Sequence, residues 1–297
     1  MSTYAKKKKR RSSGSIAIPF LLTLLIATVV LGGVGYYFFN RIINDDKELL
    51  PMPGATTGIS EADIYEILFV LEPDSPARKT AVMLMRFDPI RKQEYYIGIP
   101  LNLQVEYEGS KMSLEQCIDN YGVPSAKDAL SVLFDQKIDY YVRMDSIGFQ
   151  KVCAVFGNVS CLVTIHDENL RPDDVSQDLD ATQLETLLTS VNFYSEGERT
   201  AVIGQTIAQL INQSDSKRIA SNVDGYFSAA IGSVSSNISA IDFTDRRHAI
   251  LYVLQQSEAP AMSYTVFGTE ADGIFTMSDS YPAQLKEIFM QTAFAAE

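Results

Sequence analysis

Two histidines, three cysteines and a large excess of carboxylates bound the chemistry this chain can carry. His166 and Asp167 are adjacent. An acid/base pair needs its side chains to meet, and neighbours on an extended strand point to opposite faces, so this pair is set aside. Asp173-Asp174 sits in the acidic, polar stretch 166–182 and reads as a solvated loop, not a metal site. With only His166 and His248, a His-rich metal centre is impossible. Cys117, Cys153 and Cys161 have no C-x-x-C spacing, which weakens zinc and thioredoxin-like readings. Cys153 and Cys161 could pair if the chain reverses at Gly157–Asn158; buried free thiols are the favoured reading. No G-x-S-x-G, H-E-x-x-H, Walker or G-x-G-x-x-G pattern is present, and no role falls on a loop acid such as Asp74 from spacing alone. The stretch "IGIPLNLQV" (97–105) asks a different question. Pro100 cannot donate to a sheet ladder, so the chain should leave the sheet there. Such strand ends are where ligand sites form in open α/β sheets. Yet Leu101, Asn102 and Leu103 supply no charge, no strong nucleophile and no general acid.

The elements that would position a site follow from patterning. "YEILFVL" (65–71), "TAVMLMRF" (80–87) and "EYYIGI" (94–99) read as strands, the last two forming a hairpin through the Asp88-Pro89 turn. Ser113 and Ser125 are candidate caps for two helices, "LEQCIDNYG" and "AKDALSVLF". Residues 138–144 are β-like, 145–157 read as a helix from Asp145 to Gly157, and 159–165 as a strand. Helices are expected over about 182–191, 196–213 and 239–256, the last starting at Asp242 or Thr244. "SYTVFG" and "IFTMS" form a terminal strand pair, and 281–293 a last helix. Strands and helices alternate without repeats, the texture of one α/β domain over about 60–294 with a helical insert at 180–256.

Charge is uneven along the 297 residues. Six basic residues (6–11) and no acid precede residue 40, which leaves 19 Lys and Arg against 37 Asp and Glu, a net −18, for the rest. That body repels nucleic acid. The basic cluster precedes 24 uncharged residues, Ile16–Phe39, long enough at about 1.5 Å per residue to cross a bilayer. A cleaved signal peptide is the rival reading, but the run is longer than its usual apolar region and ends in bulky aromatics. The expectation is a basic cytoplasmic tail (1–15), a retained membrane helix (16–39), a Pro/Gly linker (40–59) and an extracytoplasmic domain: a single-pass cell-membrane protein with its N-terminus inside.

The order of segments then becomes informative. "TAVMLMRFDPIRKQEYYIGIP", a loop, "SKMSLEQCIDNYG" and "KIDYYVRMDSIGFQKVCAVFGNV" closely resemble the LytR-CpsA-Psr family of Gram-positive cell-envelope proteins. "SNIS" (236–239) and "YTVFGTEADGIFTMSD" (264–279) look like that family's closing segments, so the resemblance spans roughly 60–292. It implies a mixed β-sheet flanked by helices. It also implies transfer of anionic glycopolymers from a polyprenyl carrier to peptidoglycan, with arginines clamping a pyrophosphate, aspartates helping to hold Mg²⁺ and an apolar tunnel for the lipid tail.

The sequence departs from that pattern where the chemistry lies. The family's Arg-x-Asp-Thr reads Ala77-Arg78-Lys79-Thr80, which puts Lys79 at the metal-binding aspartate position. The Arg-Asp after Ile-Pro is Leu101-Asn102, and the arginines expected near 189–191 are Thr189 and Val191. Of two paired arginines on the next helix only Arg199 is present; Lys111 matches the family lysine. Leu or Thr cannot replace arginine at a bidentate pyrophosphate site without losing most of the binding. Two readings follow. One is a catalytically impaired binding or accessory member of the envelope, whose partners are the membrane and a polyprenyl-linked lipid or other envelope proteins, with no metal. The other is an active phosphotransferase using Arg78, Lys111 and Arg199 as rearranged anion ligands, the only case that calls for Mg²⁺.

Overall fold

A computed structural model describes residues 58–173, 175–256 and 259–290. The expected tail and membrane helix, the linker up to residue 57, Asp174 and the end of the 281–293 helix lie outside the described residues. Among the described residues no helix is long and apolar enough to cross a membrane.

Six strands make the central sheet: β1 (Tyr65–Leu71), β2 (Ala81–Asp88), β3 (Gln93–Gly98), β6 (Tyr140–Met144), β9 (Ser235–Ser236) and β10 (Ala261–Thr265). Their order is β10-β3-β2-β1-β6-β9. β1, β2 and β3 are an antiparallel meander, with β6 parallel to β1 and β10 parallel to β3. The hairpin expected at Asp88-Pro89 forms, and Asp88 holds the turn by accepting from the Arg91 N–H at 3.0 Å and pairing with its guanidinium at 2.8 Å. Strands β1 and β2 read as continuous apolar runs because both faces of the sheet are covered. Leu68, Val70, Val82 and Leu84 face α1 (Leu114–Leu133) and α8 (Tyr281–Met290). Tyr65, Ile67, Met83 and Tyr96 face the other layer: α2 (Ser146–Phe156), α3 (Ala181–Thr189), α4 (Glu196–Gln213) and α7 (Ala240–Gln256). The short helices α5 (Ser216–Ser221) and α6 (Val223–Ile231) complete that side.

Local chemistry sets the helix ends. Ser113 and Gln116 form a reciprocal capping box, Asp145 accepts from the Gly148 N–H at 2.7 Å, and Gly157 ends α2 at φ 97°. Several expectations are corrected. Ser125 is not a cap: the break in α1 falls at Gly122 (φ 83°), and the Ser125 hydroxyl donates to the Tyr121 carbonyl. α7 starts at Ala240, because Ser239 and Asp242 exchange hydrogen bonds as cap and third residue. The 159–165 strand pairs only as β7 (Val159–Cys161), with β8 (Gln177–Leu179) from the supposed loop. Val163 and Ile165 still alternate inward, since burial, not a ladder, fixes their direction. "SYTVFG" and "IFTMS" meet only at their adjoining ends, where Gly268 pairs with Met277 and the Ser278 N–H donates to the Phe267 carbonyl at 2.9 Å. Ser263–Thr265 belong to β10, and β12 (Ile274–Met277) pairs with β11 (Gly268–Ala271). A further hairpin, β4 (Gln104–Tyr107) with β5 (Ser110–Ser113), turns at Glu108 and Gly109, both with positive φ as a type I′ turn demands.

Helix α4 lies against β3 at a glycine. A Cβ on Gly98 would meet the Thr200 carbonyl oxygen at 2.0 Å, and one on Gly204 would meet that of Tyr96 at 3.1 Å. Backbone cannot yield there as a flexible side chain would. Gly98→Ala is expected to lower the free energy of unfolding by about 1–3 kcal/mol, measured by urea denaturation.

Candidate functional site

Between the sheet and α2, α4, α5 and α7 lies an apolar cavity of about 290 Å³. Met83, Met85, Phe149, Ile203 and Ile207 are among its walls. Its length follows the sheet. Leu71, Ala81 and Leu188 stand at one end, and Tyr65, Phe87, Glu94 and Pro260 at the other, as the β1–β2–β3 register requires. Glu94 is the one carboxylate of the lining. It accepts from the Tyr96 hydroxyl, and burial raises its carboxyl above the usual range despite that bond. A second apolar space of about 240 Å³ adjoins it, sharing Tyr65, Val152 and Ile250.

The end of β3 builds a different site, a polar cleft of about 350 Å³. The chain leaves the sheet at Pro100 as expected. Ile99 still donates to the Val82 carbonyl at 2.9 Å, and Leu103 then donates to the Pro100 carbonyl at 3.1 Å. Leu101 is buried and turned into the cleft wall; Asn102 donates to Glu270 at 3.0 Å and to the Gly273 carbonyl at 3.1 Å, which ties the loop to the β11–β12 turn. Lys79, Glu115, Glu196, Arg199 and Glu270 supply the charge of the lining, so the three acids outnumber the two bases. The cleft and the cavity share no lining residue.

Arg199 stands where these two spaces approach. It is 1 % exposed. Nε donates to both carboxylate oxygens of Glu196 at 3.2 Å, and Nη2 to Oε1. Nη1 donates to the carbonyls of Thr80 at 3.0 Å and Leu188 at 3.3 Å. Glu196 opens α4, takes the Leu101 N–H at 3.2 Å and faces Lys79 Nζ at 3.3 Å. Burial alone would raise its carboxyl. The Arg199 bonds and charge, the Leu101 N–H and the Lys79 charge outweigh burial and hold it below the usual range. Arginine is well suited to such a buried fork.

The other sequence candidates do not gather here. Arg78 pairs with Asp167 at 2.8 Å and donates to the Thr186 carbonyl at 3.3 Å, with Glu168 at 3.7 Å. Ser190 donates to the same Asp167 carboxylate; burial raises that carboxyl, but Ser190, the Glu168 N–H and Arg78 together bring it below the usual range. Lys111 is exposed on β5, beyond the cleft lining. Lys79 borders the cleft, Thr189 is buried with its hydroxyl donating to the Glu185 carbonyl at 2.8 Å, and Val191 is half exposed at the rim. Sequence reasoning missed Glu196, Glu115 and Glu270; a Ser-x-x-Glu capping pattern at 195–198 marks the helix start but not which glutamate turns inward. His166 is exposed, and Asp167 binds Arg78 instead. Mg²⁺ does not fit this donor set. A lysine and an amide stand where the resemblance leads one to expect aspartates, Glu196 and Glu270 are already held by Arg199 and Asn102, and Glu115 alone does not make a Mg²⁺ ligand set; among the described residues no cluster of three or more metal-ligating side chains is present. The three cysteines are free and buried, and burial pushes the Cys153 thiol up to about 12 and that of Cys161 to about 11.

The class these observations define is a mixed α/β fold: a central mixed sheet flanked by helices, with an apolar cavity under one face. No family model and no curated protein matches the sequence. Solved structures do match the fold. A candidate transcription regulator from Eubacterium siraeum DSM 15702 superposes with a TM-score of 0.68 at 16% identity, over 78% of this chain and 93% of that one. TagV of B. subtilis gives 0.60 at 16% identity, over 76% and 96%. TagT bound to LI-WTA gives 0.59 at 15% identity, over 77% and 90%. TagV and TagT are LytR-CpsA-Psr proteins, and what this chain shares with them is the fold.

Two outcomes are expected. Arg199→Met leaves the buried Glu196 with only half-exposed Lys79 and the Leu101 N–H as partners, removes the guanidinium donor from two carbonyls, and should cost about 3–5 kcal/mol at pH 7 by urea denaturation. Because the Glu196 carboxyl is depressed in the fold, the pair's stabilisation is present above the ordinary glutamate value of about 4.3. It is lost as pH falls through the folded value, so the penalty of the substitution shrinks in acid. Second, a thiol reagent such as DTNB should label none of the three cysteines in the native protein at pH 8 and all three in urea.

Proposed function

We propose that this chain is a membrane-anchored, extracytoplasmic LytR-CpsA-Psr-like protein of cell-envelope biogenesis. It binds an apolar chain and does not transfer glycopolymer. Fold supports the first part: the neighbours include TagT in complexes with LI-WTA and LIIa-WTA. The observation that carries the second part is Arg199. The one arginine retained from the expected pair spends its guanidinium on Glu196 and two backbone carbonyls. A pyrophosphate would have to displace Glu196 from it, in a cleft with three glutamates and one partly exposed lysine. Like charge in a partly buried cleft opposes such a ligand. The membrane anchor rests on the basic cluster and uncharged run at 6–39, and the envelope location follows from it.

Incubation of the purified protein with a polyprenyl pyrophosphate and Mg²⁺ or Mn²⁺ tests the reading. The expected result is no metal-dependent phosphate release above a protein-free control. Release that disappears in Lys79→Ala, a change at a half-exposed side chain, would overturn it.

A further inference from the structure

The apolar cavity carries its polar groups at the end away from the cleft. Glu94 is the second residue of β3, opposite Phe87 and beside Ala261, whereas the cleft lies past the other end of that strand. Ser214 and Ser216, between α4 and α5, join Glu94 in the lining, next to half-buried Ile211 and Leu254. One Glu94 oxygen takes the Tyr96 hydroxyl; among the described residues nothing donates to the other. Among the described residues no lysine, arginine or histidine lines this cavity. Arg246, in the adjoining space, stacks over the Tyr65 and Tyr140 rings at 5.6 and 5.5 Å and faces Asp242 at 4.0 Å. At the cleft end, Arg199 points its donors at Glu196, Thr80 and Leu188 and is no part of the cavity wall.

A carboxyl inside an apolar cavity is costly unless something satisfies it. It fits a partner that donates a hydrogen bond, and the described lining holds no cation to offset a negative charge. The volume sits at the lower end of the roughly 300–1,000 Å³ typical of small-molecule pockets, which suits one chain rather than a two-tailed lipid. We propose that the cavity takes a single aliphatic or prenyl chain bearing an uncharged hydrogen-bond donor, an alcohol, whose hydroxyl Glu94 receives, and that it rejects chains with anionic head groups. This rests on the apolar-chain reading above and names its ligand class; it departs from a carrier whose pyrophosphate sits in the cleft.

The test compares farnesol, farnesyl phosphate and the hydrocarbon farnesene against the full chain in detergent, by ligand-dependent thermal unfolding with detergent blanks. Farnesol should bind with an apparent affinity at least about tenfold above that of farnesyl phosphate, because the phosphate would be desolvated beside Glu94 with no cation in the described lining to receive it. Farnesol should also exceed farnesene. Glu94→Leu should erase the advantage of farnesol over farnesene, while Glu94→Gln, which keeps an acceptor, should retain it. Farnesyl phosphate binding as well as farnesol, or farnesene matching the alcohol, would overturn this inference and leave the apolar-chain reading standing. Binding of none of the three would overturn both. Should Glu94→Leu fail to fold, the wild-type ranking of the three probes decides.

Discussion

The contact on which the rest of the site depends is the buried Arg199–Glu196 pair. It joins two stretches of chain about a hundred residues apart: the approach to β2 at Thr80 and the loop after Pro100 on one side, the end of α3 at Leu188 and the start of α4 on the other. Burying two charges this far from water is repaid only when the geometry is good and the remaining donors find acceptors. Here the surrounding backbone supplies those acceptors. The consequence for chemistry is direct: a guanidinium committed to the fold is not available to hold a phosphate, and the acid that neutralises it also occupies the cleft.

The same logic runs through the neighbouring charges. Arg78 is held by Asp167, which is itself fixed by Ser190, so the loop 166–173 and the segment after α3 are stitched to the start of β2. Asn102 serves the β11–β12 turn. Arg78, Asn102, Glu196 and Arg199 thus each answer to another part of the protein. The apolar side is organised differently: its walls come from the inner face of the sheet and from helices whose only demand is volume and hydrophobicity, and its lone carboxylate stands apart from the cleft.

Much of the scaffold was legible because both faces of the sheet are buried. The apolar runs at 65–71, 80–87 and 94–99 could be read to within a residue of β1, β2 and β3 without knowing their partners, and Asp145 and Gly157 announced a helix to the residue. What failed was pairing. β10 sits beside β3 across more than 160 residues, and β12 pairs with β11 rather than β10; nothing in a strand's own composition names its neighbour. At the site, that positions 101 and 102 bring no charge was plain from the residue types. That Arg199 would turn inward to Glu196 was not, because an i, i+3 pair on a helix reads the same whether it faces water or the core.

Rigid bookkeeping of this kind narrows the routes open to mutation. An arginine introduced at 101 would enter a position that is 3 % exposed and whose N–H is held by Glu196, adding a buried charge before any anion is present to balance it. An aspartate at 102 would break the two donations that anchor the β11–β12 turn and would face Glu270. Each step towards an arginine-lined site is therefore unfavourable alone, and only concerted changes at 101, 102, 196 and 270 would be tolerated. The polar cleft is thus a local trap in sequence space: Arg199, Glu196 and the Asn102 amide are already committed, and single substitutions there are costly.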